Sequence, residues 1–264
     1  MDVAAPNQIV PRHRASVILG AGIIIATYSY LVLLRPEGLP DGTGMASVIA
    51  LVGNIAGALL LLAGVIHRLP LTTIALIPSA IALNIVMGQI TSQLGINLYL
   101  DSLGTVLVGA LAGPAAGIAA GVLGNVVWGV TLAPVATAFA SVAALTGAIA
   151  GYMARAGMFR RIWTAPIAGA LTGVVTALVA APIAAFAFGG TTGGGATAAV
   201  AALRAMGSSL LQATTVQGLM FDPLDKAIIF TVAALVLAAL PQRVLAQFGP
   251  TPTRPERFPE PARE

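Results

Sequence analysis

Cysteine is missing from the chain altogether. Disulfides, thiolate metal sites and cysteine nucleophiles are therefore excluded. Histidine is almost missing too. His13 lies between Arg12 and Arg14, and His67 precedes Arg68, both at the edges of apolar runs, so no histidine-based metal or catalytic centre is expected. Charge is the scarcest ingredient. Charged residues make up 8% of the 264, and none occurs from 69 to 100 or from 102 to 154. A soluble domain carries about 25%. With 58% hydrophobic residues and a mean hydropathy of +0.94, the chain reads as an integral membrane protein. Charge-free tracts of this length suit helices, because barrel strands alternate in short segments. The Walker, G-x-S-x-G and H-E-x-x-H motifs are also absent, so the chain cannot drive ATP hydrolysis itself and an enzyme is not expected. The glycines of "GTGMASVIALVGN" lack the strand–turn–helix setting of a phosphate loop. No catalytic residue, metal site or cofactor is expected. The pI near 10.1 does not point to nucleic acid, because the arginines cluster at the ends of the apolar runs.

The apolar runs fix an all-α, polytopic membrane architecture. A bilayer-crossing helix needs roughly 20 apolar residues. Runs at 15–34, 45–66, 71–93, 135–154, 164–188 and 224–240 meet that need. The stretch 98–130 is broken at Gly113-Pro114, where proline cannot continue the backbone ladder, and reads as two shorter helices meeting in a turn. That makes about eight spans with both termini on one side. Placing them in the cytoplasm puts Arg12, Arg14, Arg68, Arg155, Arg160, Arg161 and Arg243 inside. Arg35, Arg204 and Lys226 then lie outside with Asp41, Asp101, Asp222 and Asp225. This bias obeys the positive-inside rule and places the chain in the cell membrane. The first run lacks a small-x-small cleavage site, so it reads as a retained helix rather than a signal peptide. The segments are a cytoplasmic N-terminus at 1–14, a transmembrane hairpin at 15–70, a six-helix unit at 71–243 and a tail at 244–264. The Pro-rich, charged end of that tail reads as disordered. "GGTTGGGAT" at 189–197 reads as a flexible outer loop, and 198–217 as an outer amphipathic helix or the start of the last span.

Asp101 is the one charge in the long apolar middle. It either caps the helix starting at Ser102 or faces a ligand. Asn84, Gln89, Gln93, Asn97 and Tyr99 precede it, and Asn125 and Trp128 follow. Polar amides at membrane depth need partners, so these residues are expected to line a wet cavity open to the outside. A second cluster, "TTVQGLMFDPLDKAIIF", carries Gln217, Asp222, Asp225 and Lys226. It reads either as an interfacial turn at Asp222-Pro223 or as a wall of the same cavity. Adjacent Asp225 and Lys226 are expected to diverge rather than pair. Gly113, Gly117 and Gly121, with Gly109 and Gly124, form a small-residue face for close helix contact, within the chain or with a partner.

On these residues the sequence resembles the substrate-binding S components of energy-coupling factor (ECF) vitamin transporters. The resemblance is carried by "INLYLDSLGTVLVGALAGPAAGIAAGVLGNVVWG" and "DPLDKAIIFTVAALVLAALPQR", over roughly 71 to 243. It implies a six-helix core, with the hairpin before Leu71 as an addition. It also implies high-affinity capture of a water-soluble vitamin or similar nutrient from outside. Substrate binding would fall to Asn84, Gln93, Asn97, Tyr99, Asp101, Asn125, Trp128, Gln217, Asp225 and Lys226. Uptake would need a transmembrane coupling subunit and two ATPase subunits. The family's Ala-x-x-x-Ala docking pattern has its nearest counterpart in Ala75-x-x-x-Ser79, so docking would fall to Ala75, Ser79, Gly113, Gly117 and Gly121. A thiamine-like or pyridoxine-like compound and a corrinoid all remain open as substrates. The alternative is a sensory input module like the membrane domain of LytS-type kinases. A stand-alone secondary transporter would require carboxylates near the midplane, where the sequence places none.

Overall fold

The computed structural model describes residues 11–34 and 44–248. The expectations for Arg35, Asp41, the N-terminal ten residues and the tail from 249 lie outside the described residues. Among them there is no strand. Helix α1 (Pro11–Ser29) runs on through a π-helical turn at Tyr30–Leu34, and α2 (Met45–Val65) returns beside it. The contact is intimate because it is made of glycine: a Cβ at Gly20 would strike the backbone of Gly57 and Leu61, and one at Gly64 would strike Val17 and the backbone of His13. Then follow α3 (Leu71–Gln93), α4 (Leu103–Ala112), α5 (Pro114–Thr131), a short α6 (Val135–Ala138), α7 (Ala140–Arg155) and α8 (Thr164–Phe186). A further helix α9 (Gly194–Ala205), the long α10 (Leu210–Ala239) and the short α11 (Gln242–Leu245) complete the order.

Five described helices are long and apolar enough to cross a membrane, and α10 with the bent end after it makes a sixth. This is a multi-pass helical arrangement, with fewer full-length spans than the eight expected. The difference lies in α4 and in α7, which keeps 16 residues because the expected 135–154 run is split at Phe139. Helix α4 has 10 residues, about 15 Å of rise, which is half of a bilayer core. Helix α10 has 30 residues and takes up both the 210–217 stretch and the whole second polar cluster. Its start is set by Ser209, which accepts from the Gln212 N–H, while the Gln212 side chain accepts from the Ser209 N–H: a reciprocal capping box. Asp222-Pro223 is therefore not a turn; both residues lie inside α10. The expected glycine-rich loop is shorter than predicted, because α9 starts at Gly194.

Packing is antiparallel and close. Gly117 and Gly121 of α5 lie against the Gly147 and Ala143 carbonyls of α7, and Gly151 meets Pro114. These two glycines thus use their small faces within the chain. Gly113 has φ +91, a positive-φ conformation that suits the α4–α5 turn and that a side chain would strain. Gly169 and Gly173 of α8 press on the backbone at Lys226 and Asp222 of α10. The outer faces are strongly apolar: Ile18, Leu33, Leu71, Val86, Leu171, Leu178 and Leu235 are all more than half exposed. Such a girdle is stable in lipid and costly in water. The arginines of α1, α7, the α7–α8 turn and α11 all fall at one end of the bundle. The 94–102, 132–134 and 187–193 connections fall at the other.

Candidate functional site

The loop end of the bundle opens into a partly open cavity of about 190 Å³. Its floor is set by the depth of one segment. The chain leaves α3 at Gln93 and then turns back inward through 94–102, so that α4 starts deep. Gly104 lies against the Ala80 carbonyl, and Ala80 is the tenth of the 23 residues of α3. The same depth is reached from the other wall: Asp222 lies against Gly173, the tenth of the 23 residues of α8. Asp222 thus lies partway down the bundle, while Asp101 stands nearer the loop end, beside Gly88, the eighteenth of the 23 residues of α3. Irregular backbone at such a depth is tolerated only where protein or a wet cavity satisfies it.

That satisfaction comes largely from Asp225, which is fully buried. One oxygen, Oδ1, accepts from the N–H groups of Tyr99 (3.0 Å) and Leu100 (2.8 Å). The other, Oδ2, accepts from Lys226 Nζ at 2.6 Å. Asp225 and Lys226 thus form a tight pair, contrary to the expectation that neighbours diverge; the long lysine stem folds back to reach its neighbour. Lys226 Nζ also stands 4.0 Å from Asp101 Oδ1. Leu100, pinned by Asp225, is the one described non-glycine residue with positive φ, at +50. A left-handed conformation costs roughly 1–2 kcal/mol for such a residue, so the clamp holds the segment in a shape it would not adopt alone. Thr91 supports it from α3 by donating to the Tyr99 carbonyl at 2.7 Å.

Six of the ten expected binding residues line the cavity together: Tyr99, Asp101, Asn125, Trp128, Gln217 and Lys226. The other four do not. Asn84 is a brace, fully occupied: its Oδ1 accepts from the Gly104 N–H at 2.7 Å and its Nδ2 donates to Thr105 at 2.8 Å. It thereby caps α4 from the neighbouring helix. Gln93 is exposed at the end of α3. Asn97 packs beside Gly195 at the start of α9. Asp225 stands behind the wall as the clamp. Of the expected docking residues, Ala75 and Ser79 are exposed on α3, with Pro78 inside the same helix.

Lining residues carry unmet hydrogen-bonding capacity. Trp128 Nε1 and Ser102 Oγ are both buried without a partner. Asn125 spends its Nδ2 on the Ala136 carbonyl at 3.0 Å and so ties α5 to α6 at the rim. Asp222 faces the cavity beside Lys226. Asp222 and Gln89 were visible in sequence as polar residues of the two clusters. Gly88 was not. A Cβ there would collide with the Trp128 ring and stand 3.0 Å from the Asp101 Cβ, so this glycine makes the space in which the indole and the carboxylate sit together. Nothing in the local pattern distinguishes it from the many packing glycines. The site can thus bind a small molecule by hydrogen bonds, charge and contact with one aromatic ring. Comparison of the chain with protein-family models, curated proteins and solved structures finds no match.

Proposed function

We propose that the chain is a membrane-embedded capture subunit that takes a small, water-soluble nutrient from outside the cell into the cavity of Asp101, Trp128 and Gln217. The observation that carries this reading is the cavity itself. A space of about 190 Å³ inside an otherwise apolar helical bundle is lined by buried polar groups that have no partner in the chain. Such groups cost roughly 1–3 kcal/mol each when left unsatisfied, and a bound polar molecule removes that cost. In this reading the protein does no chemistry on its cargo. In line with the S-component resemblance, it works with a transmembrane coupling subunit and two ATPase subunits, its termini cytoplasmic and the arginine-rich end inward. The substrate is a vitamin-like compound.

Native mass spectrometry of protein purified gently into nanodiscs tests the reading. A co-purifying vitamin-sized molecule is expected, because slow release accompanies tight capture. Replacing Asp101, Asn125 and Trp128 together is expected to abolish that occupancy while the protein stays folded. Ligand retained in the triple variant would refute the site.

A second reading is favoured by one specific observation, the position of Asp222, Asp225 and Lys226 inside the bundle, alongside Gly169 and Gly173 of α8. Ionisable groups so placed are the usual coupling sites of secondary transporters. Proteoliposomes containing this chain alone separate the two. Uptake driven by an ion gradient without any ATPase would favour the stand-alone carrier.

A further inference from the structure

The charges around the cavity do not balance. Three carboxylates, Asp101, Asp222 and Asp225, surround one ammonium, that of Lys226, and no arginine lines the space. The ammonium is already committed, since Asp225 holds it at 2.6 Å whereas Asp101 stands 4.0 Å away. Asp225 is itself saturated by the two backbone N–H groups and by Lys226. Asp101 and Asp222 therefore line the cavity sharing one ammonium that Asp225 holds more closely. Burying anions without counter-charge is expensive in a membrane interior. Among the described residues no group of three or more His, Asp or Glu is arranged to hold a metal ion, and an organic cation would supply the missing charge.

The other unmet groups give it a shape. Trp128 presents an indole whose ring is held by Gly88, and indole faces attract cations more strongly than other aromatic side chains. Ser102 Oγ and the Trp128 N–H both lack a partner, and Gln217, nine-tenths buried, stands at the same wall beside Tyr99. We propose that the cavity selects a small flat organic cation, its charged nitrogen seated by Asp101 and Asp222 and its ring against Trp128. A hydrogen-bonding group elsewhere on the same molecule takes Ser102 Oγ. This inference rests on the capture reading and narrows its substrate to one charge class.

Three compounds with one common frame test it: benzamidinium, benzamide and benzoate, which are a cation, a neutral molecule and an anion. Their binding to the full chain in nanodiscs is measured by calorimetry. For molecules of this size, benzamidinium is expected to bind with a Kd on the order of 1 mM, with benzamide weaker and benzoate weakest. Asp101→Asn and Asp222→Asn are each expected to weaken benzamidinium roughly tenfold or more, the usual effect of removing a charged hydrogen-bond partner. An unchanged unfolding temperature of each variant reports an intact fold. Benzoate or benzamide binding as well as benzamidinium, or both Asn variants binding benzamidinium normally, overturns the cation inference while leaving capture standing. No binding by any of the three, together with an empty cavity in native mass spectrometry, overturns both.

Discussion

Replacing Asp225 with Asn tests whether one carboxylate holds the inward-turning segment in place. The substitution preserves shape and changes only hydrogen-bonding capacity. Asp225 accepts three hydrogen bonds with two oxygens, two from the Tyr99 and Leu100 N–H groups and one from Lys226. An asparagine has one oxygen and a donating amide. If the oxygen faces the backbone, the amide faces the Lys226 ammonium; if it faces the lysine, the amide faces two N–H groups. Either way donors oppose donors in a buried place. Removing one member of a buried pair costs about 3–5 kcal/mol, and about 1–2 kcal/mol of that returns when Leu100 relaxes from φ +50. A net loss of roughly 2–3 kcal/mol is expected, confined first to 94–102. Hydrogen exchange of the Tyr99 and Leu100 amides in nanodiscs reads it directly. At 1.4 kcal/mol per factor of ten, their exchange should quicken roughly 30- to 140-fold, while amides of α5 and α7 change far less. Adding Lys226→Gln should recover part of the loss, because the opposed ammonium is gone. Unchanged protection at Tyr99 and Leu100 in Asp225→Asn would refute the clamp.

Gly88→Ala is expected to push the Trp128 ring and the Asp101 side chain aside. Because the chain has two tryptophans, a Trp163→Phe background leaves Trp128 as the sole reporter; a shifted emission maximum with lost ligand binding is expected, and unchanged emission would count against the geometry. Asn84→Ala removes the cap on α4 and orphans the buried Gly104 N–H. It is expected to lower stability by about 1–2 kcal/mol, seen as a lower unfolding temperature, with ligand affinity of the folded fraction nearly intact. A large affinity loss without destabilisation would mean that Asn84 touches the ligand.

Fold class was legible because it follows from composition. Charge-free tracts such as 69–100 and 102–154 have one physical outlet, and the helices at 45–65, 71–93 and 164–186 fall within a few residues of the apolar runs that announce them. Depth was not legible. A stretch such as "INLYLDS" looks like an outer loop because it interrupts a hydrophobic run. Whether the loop stays at the surface or folds inward depends on what can satisfy its backbone, and here that group is Asp225, 125 residues beyond Leu100. Asn84 shows the same limit from the other side. A polar amide inside a helix signals that a partner exists, and it cannot say whether the partner is a ligand or the first turn of another helix.

The second polar cluster does form a wall of the cavity. Only its turn at Asp222-Pro223 and the divergence of Asp225 from Lys226 fail, because these follow from reading along the chain rather than around the helix. Adjacent residues on a helix diverge by about 100 degrees, so Asp225 and Lys226 looked unable to pair. Yet Asp222, Asp225 and Lys226 stand at i, i+3 and i+4, the spacing that puts three side chains on one face. Pro223, next in sequence, turns instead toward α8, where Gly173 gives it room. Proline at this position removes a donor from the helix ladder and leaves the Leu219 carbonyl without its partner. A chain that places such a break beside three charges inside the bundle, and backs it with two glycines at Gly169 and Gly173, concentrates its costs in one turn of α10. The division of labour on that face follows: Asp225 is consumed by structure, Lys226 is held by it, and Asp222 is left facing the cavity.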